Sequence, residues 1–257
     1  MSDITPSQTV GPYFAYGLAP HSRCHWQPSP HYDSKETVGA DLVTPDATGT
    51  RIRIEGRVLD GDGMPINDSM IEIWQADAQG RYASPRDSRA RTNALFKGFG
   101  RSATDKEGAY SFDTIKPGTV PGPGGKPQAP HIMVCIYSRG MLRQIYTRLY
   151  FSDEAANGAD PILALVPAER RGTLIAHKQP GAGQAVYGFD IRVQGDNETV
   201  QIGLPDFFEP RYASVSEELG HVRVDLRDQR TEVGDLFLVE HGRIGCGVGI
   251  RIREREP

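Results

Sequence analysis

Glycine and proline are spread along the whole chain rather than gathered into linkers, and together they make up 48 of its 257 residues. Both interrupt regular structure, so this density leaves room for short strands and many turns but little for long helices. The segments between them alternate apolar and polar residues in the manner of strands. Arg51 to Leu59 alternates, and Asp60-Gly61-Asp62-Gly63 after it is a strong turn signal. Ser69 to Ala76 and Gln144 to Phe151 alternate again, and Ala185 to Val193 is a last clear strand. Arg101–Thr104 and Ala109–Phe112 flank the turn Asp105-Lys106-Glu107-Gly108 and read as a hairpin. His131 to Tyr137 is continuously apolar and β-branched, which predicts a buried strand. Residues 83–100 and 116–130 read as long loops. Ser152 can cap one helical turn over Asp153–Asn157, and Pro161–Pro167 is a short helical or irregular piece. The spacing predicts an all-β sandwich with long loops and few short helices. Trp74, on the second alternating run, reads as a core residue.

Composition narrows the function classes. The net charge is −4, and no basic stripe of the kind that binds nucleic acid is visible. No apolar run approaches the roughly 18 residues of a membrane helix, and the first residues lack a secretory pattern. Cys24, Cys135 and Cys246 are odd in number and far apart, which predicts reduced thiols and a cytoplasmic location. His21, His25 and His31 lie near Cys24 in a Pro-rich loop without zinc-site spacing. There is no Gly-x-Ser-x-Gly elbow and no phosphate-binding glycine loop. The chain divides into residues 1–50, an irregular arm and loop, residues 51–200, the sandwich, and residues 201–257, an extension of unknown structure. That extension has eight arginines and no lysine. It is either an added hairpin or the product of a reading-frame change.

Six strings occur in order between residues 4 and 200. They are Thr5-Pro6-Ser7-Gln8-Thr9-Val10-Gly11-Pro12-Tyr13, Glu72-Ile73-Trp74-Gln75-Ala76-Asp77, Gly80-Arg81-Tyr82, Thr114-Ile115-Lys116-Pro117-Gly118, Ala129-Pro130-His131-Ile132 and Thr147-Arg148-Leu149-Tyr150-Phe151. Together they resemble the intradiol ring-cleaving dioxygenases, in particular the α-type chains of the two-chain members that act on protocatechuate. That resemblance implies a β-sandwich fold of the intradiol type and a non-haem Fe(III) held by two tyrosines and two histidines. Ferric iron is a hard acceptor, and phenolate oxygen with neutral imidazole suits it.

The family's two histidines stand two apart in a His-Ile-His string, where strand residues share a face. Here the string is His131-Ile132-Met133, so a soft thioether replaces the second imidazole. One family tyrosine follows Lys-Pro-Gly with one residue between; here that position is Val120. The other is present as Tyr82. Tyr82 and His131 remain, Val120 and Met133 are lost, and no metal set is expected in this chain. The resemblance therefore implies Fe(III) in a partner β subunit. By match, Thr9, Gly11, Pro12 and Tyr13 of this chain line the substrate pocket, and Arg148 points to it. A hydroxyl, a backbone N–H or a guanidinium can anchor the carboxylate of an aromatic acid. The implied activity is cleavage of protocatechuate by O2 to 3-carboxy-cis,cis-muconate in an α–β hetero-oligomer, with the α chain inactive alone.

Without the resemblance the same residues have plainer readings. Tyr82 is a packed aromatic, His131 a satisfied core or loop histidine, Arg148 a solvated face residue and Thr9–Tyr13 a Gly-Pro turn. A second enzymatic reading keeps activity in this chain alone, with new ligands from residues 83–100 or 21–31. The alternative function is a non-catalytic β-sandwich binding or scaffold subunit.

Overall fold

The computed structural model describes residues 39–202 except 86, 92 and 182, together with the backbone of Arg223–Val224. The segment Thr9–Tyr13, the cluster His21, Cys24, His25 and His31, and nearly all of 203–257 lie outside the described residues. The strands are β1 (Arg51–Leu59), β2 (Met70–Trp74), β3 (Phe99–Ala103), β4 (Ala109–Ile115), β5 (Val120–Pro121), β6 (Pro127–Gln128), β7 (His131–Tyr137), β8 (Ile145–Phe151), β9 (Ile175–Lys178), β10 (Ala185–Gly188), β11 (Ile191–Arg192), β12 (Gln201–Ile202) and β13 (Arg223–Val224). The helical pieces among the described residues are short 3₁₀ segments.

One mixed sheet folds over into two leaves. β4, β1 and β10 form one leaf, and β11 extends it beside the end of β1. β3, β2, β7 and β8 form the other. β9 joins them. Its first half pairs parallel with β8 through Ile175 and Ala176, and its second half pairs antiparallel with β10 through His177 and Lys178. On the opposite side, residues 39–42 bridge the leaf edges. Arg101 N–H donates to Gly39 O at 3.0 Å, and Asp113 N–H to Ala40 O at 2.9 Å.

The alternation seen in the sequence decides which side chains face inward. Ile52, Ile54 and Val58 of β1 meet Ile71 and Ile73 of β2, Ile132, Val134 and Ile136 of β7, and Leu149 and Phe151 of β8 in one core. The intervening residues of the second leaf therefore face away from that core. A second cluster, with Tyr150, Ile162, Leu163, Val166, Leu174 and Val200, covers part of this outer face. The first six residues of β7 are buried. Covering on both faces is why this strand reads as a continuous apolar run.

Three local expectations are corrected. β3 and β4 do not pair as a hairpin: β3 pairs with β2 and β4 with β1. The Asp105–Gly108 turn is instead a corner between leaves, closed by Ala109 N–H donating to Asp105 Oδ1 at 2.8 Å. Ser152 caps no helix; its hydroxyl accepts from Lys178 N–H at 3.0 Å, and the 3₁₀ segment starts at Ala155. The run Ala185–Val193 is broken at Phe189–Asp190. There Phe189 O accepts the Tyr110 hydroxyl at 2.6 Å and crosses so close to Gly56 that a Cβ would lie 1.9 Å from it.

The leaf junction at β9 is also tied by charge. Asp153 accepts from Lys116 at 3.1 Å, Lys178 at 3.1 Å and the Tyr187 hydroxyl at 3.0 Å. Partial burial works to raise its pKa, but these hydrogen bonds outweigh burial and set it at about 2, below the usual 3.8. A carboxylate with a lowered native pKa stabilises fully above its unfolded pKa and loses that contribution as pH falls through the native one. Denaturant titrations from about pH 5 down to about pH 2 are expected to reveal a decline in stability that Asp153→Asn reduces. The variant is expected to be about 1 kcal/mol less stable at neutral pH. Identical pH profiles for the two proteins would refute the assignment.

Candidate functional site

The Glu72–Asp77 string builds a platform at the end of β2. Gln75 reaches the other leaf, donating to Ile115 O at 2.9 Å and accepting from the Thr114 hydroxyl at 2.9 Å. Asp77 closes the next turn: its Oδ1 accepts from Gln79 N–H and Arg81 N–H, each at 2.9 Å. Its backbone carbonyl accepts from both Gly80 and Gly118 at 2.9 Å. Gly80 has a φ of +72°, and a Cβ there would lie 1.8 Å from Thr119 O. Only glycine permits both that conformation and that approach. The two segments are thus locked backbone to backbone, and Tyr82 and Val120 fall into one buried cluster with Ala76, against which Trp74 packs. Tyr82 stacks on Trp74 with ring centroids 6.0 Å apart and planes 12° apart. Trp74 is therefore half-buried on the outer face of its leaf, not in the core.

Strand register brings the other positions to the same place. Trp74 of β2 is opposite Met133 of β7, which is opposite Arg148 of β8. His131 and Tyr150 form the neighbouring row. Val120 pairs with Gln128 across β5 and β6, and Arg148 Nη1 donates to Gln128 Oε1 at 2.6 Å. Tyr82, Val120, His131, Met133 and Arg148 are each at most 5% exposed. Arg148 is not a solvated face residue: at 2% exposure it lies across from Met133 and beside the His131–Tyr150 row.

Behind this row Asp160 holds the scaffold. Its carboxylate accepts from Ala129 N–H at 2.7 Å, the Tyr150 hydroxyl at 3.1 Å, and Ile162 and Leu163 N–H at 2.9 and 2.7 Å. Ala129 O in turn accepts the Nδ1–H of His131 at 2.8 Å. Sequence reading assigned no role to Gln128 or Asp160. Asp160 stands before Pro161 and a short helical piece, which is a capping signal, but its reach to Ala129 and Tyr150 is a tertiary fact.

Electrostatics set the protonation states. Burial, reinforced by the Arg148 charge, pushes His131 down to about 3, so its imidazole is neutral. Burial lifts Tyr82 to about 12 against the opposing pull of Arg148, so it is a neutral phenol. Arg148 has no ion pair among the described residues. Tyr150, which interacts with Arg148, hydrogen-bonds Asp160, and among the described residues the Arg148 Nε is buried without a hydrogen-bond partner, as is Trp74 Nε1. This donor set does not fit ferric iron. One phenol, one imidazole, a hydrocarbon, a thioether and a fixed cation are what the pocket offers. Among the described residues no group of three or more His, Cys, Asp or Glu side chains is placed to hold a metal. In the loop 83–100 the carboxylate of Asp87 is engaged by Tyr82 N–H at 2.8 Å and by Arg89.

Comparison with known proteins gives the family and the fold. The family model described as Dioxygenase matches residues 27–195, and the chain belongs to that family, the intradiol dioxygenases. Its relatives include two protocatechuate 3,4-dioxygenase alpha chains. That of Burkholderia cepacia is 44% identical over 76% of this chain and 95% of its own length. That of Pseudomonas putida is 44% identical over 76% and 94%. The Burkholderia cepacia beta chain is 37% identical over 59% of this chain and 67% of its own. Among solved structures, an intradiol ring-cleavage dioxygenase from Tetranychus urticae matches 65% of this chain and 93% of its own, with TM-score 0.50 and 18% identity, a likeness of fold.

The Gly80 contact is directly testable. Gly80→Ala is expected to cost more than about 2 kcal/mol, because strained φ and a backbone collision add. Gly140→Ala is the control: its φ is +85° but nothing lies within 4 Å of a Cβ there. It is expected to cost only about 1 kcal/mol. Equal losses in chemical denaturation would show that the close packing of the two segments contributes nothing.

Proposed function

We propose that this chain is the α-type subunit of a protocatechuate 3,4-dioxygenase and works only with an iron-holding β-type partner. The observation that supports the reading is the buried pocket that gathers Tyr82, Val120, His131 and Met133, where only Tyr82 and His131 offer donors suited to ferric iron. Similarity to two α chains over three quarters of this chain supports the choice of subunit. Similarity to a β chain supports kinship with the proposed partner.

The reaction is the opening of the ring of protocatechuate between its two hydroxyl-bearing carbons by O2, giving 3-carboxy-cis,cis-muconate. Ferric iron in the partner supplies the redox chemistry. This chain supplies shape and polar contacts. In the proposal residues 1–50 act as an arm at the partner interface. Thr9 and Tyr13 offer hydroxyls to the substrate, Gly11 lets backbone approach it closely, and Pro12 fixes the turn. Arg148 stands apart from these four, since its burial suits a role inside this chain's own pocket. Residues 51–200 form the sandwich, and 201–257 a separate extension. A cytoplasmic location is proposed from the three unpaired-looking cysteines. No helix among the described residues is long and apolar enough to cross a membrane.

The test is co-expression of the chain with its β partner, followed by iron analysis and protocatechuate-dependent O2 uptake on the lone chain and on the complex. Iron and activity are expected only in the complex. Within the complex, Thr9→Ala and Tyr13→Phe are each expected to lower kcat/KM by about tenfold with iron content unchanged. Stoichiometric iron in the lone chain would overturn the reading. A stable complex without O2 uptake would favour a non-catalytic binding or scaffold subunit.

A further inference from the structure

The four ligand positions do not simply lack donors; a permanent cation sits among them. We infer that the guanidinium of Arg148 has taken the place of the lost metal ion, and that Arg148, beyond the missing ligands, is what keeps this pocket free of iron. The inference rests on the family's assignment of the four positions, but not on the pairing with a partner.

Three observations carry it. First, register places Arg148 directly across from Met133 and one row from His131, and its neighbour Gln128 lies across from Val120. Second, the side chain is locked rather than mobile. It is 2% exposed, and Nη1 is held by Gln128, whose own Nε2 is fixed to Pro121 O at 2.9 Å. Third, its charge is not consumed by a carboxylate among the described residues, so its field falls on the surrounding donors. A guanidinium cannot lose its proton to make room for a metal, and burial removes the water that would screen it. A cation there can hold polar groups in place as a metal would, with hydrogen bonds in place of coordination, while it repels any metal ion that enters.

The experiment restores ligands with and without the cation in the full-length chain purified without partner. Two variants are compared, Val120→Tyr with Met133→His, and the same pair with Arg148→Gln added. Iron per chain and the visible tyrosinate-to-iron(III) absorption are read, with near-ultraviolet circular dichroism as the check on folding. The double variant is expected to stay nearly iron-free. The triple variant is expected to hold at least about tenfold more iron, approaching one per chain. Full iron loading of the double variant would overturn the inference, and so would a folded triple variant that stays iron-free.

Val120→Tyr enlarges a buried side chain, so a milder pair is measured as well. Met133→His with and without Arg148→Gln is titrated with Co²⁺, whose visible d–d bands report coordination. Binding at least about tenfold tighter with Arg148→Gln is expected. Equal affinities would overturn the inference even if both larger variants misfold. Neither readout involves the β partner or O2 uptake, so failure here is distinct from failure of the proposed function.

Discussion

Everything in this molecule depends on β7 being covered on both faces. Its inward residues Ile132, Val134 and Ile136 close the core between the leaves, and its outward residues His131 and Met133 are buried as well. One strand thus serves stability on one side and the site on the other. A one-residue slip of its register would exchange the two sets, sending His131 and Met133 into the core and three large aliphatic side chains into the pocket. The pairing with β2 and β8 holds that register over most of its length. The leaf is fastened to its neighbour through β9 and through residues 39–42.

On that base the pocket is assembled from pieces distant in sequence. Gly80 and Gly118 let two loops touch backbone to backbone, which brings Tyr82 beside Val120. Asp160 fixes Ala129 and Tyr150 from the far side. The result is a well-packed site that holds a neutral phenol, a neutral imidazole and a buried guanidinium. A buried arginine with no carboxylate partner among the described residues is costly in itself, and here Gln128 and the Tyr150 hydroxyl compensate part of that cost.

Much of this was legible in one dimension. The alternation in β1, β2 and β8 and the apolar run of β7 are direct consequences of which faces are buried, so strand positions and the sandwich could be read from residue order. The residue types at Val120 and Met133 were equally legible, because donor chemistry is a property of the residue itself. The corner at Asp105–Gly108 was not, since the turn has the same local chemistry whether the strands beside it pair with each other or part to different leaves. Trp74 was misread for a similar reason: a large aromatic on an alternating strand signals burial but not which face buries it.

The sequence by itself therefore determined the all-β class, the strands and which donor types stand at Tyr82, Val120, His131 and Met133, because these depend on local periodicity and on side-chain chemistry. Only the tertiary structure decided that Arg148 is buried, that it stands across from Met133 beside the His131–Tyr150 row and that Gln128 and Asp160 support this region. Those facts depend on register and on contacts between segments tens of residues apart, and no local pattern encodes them.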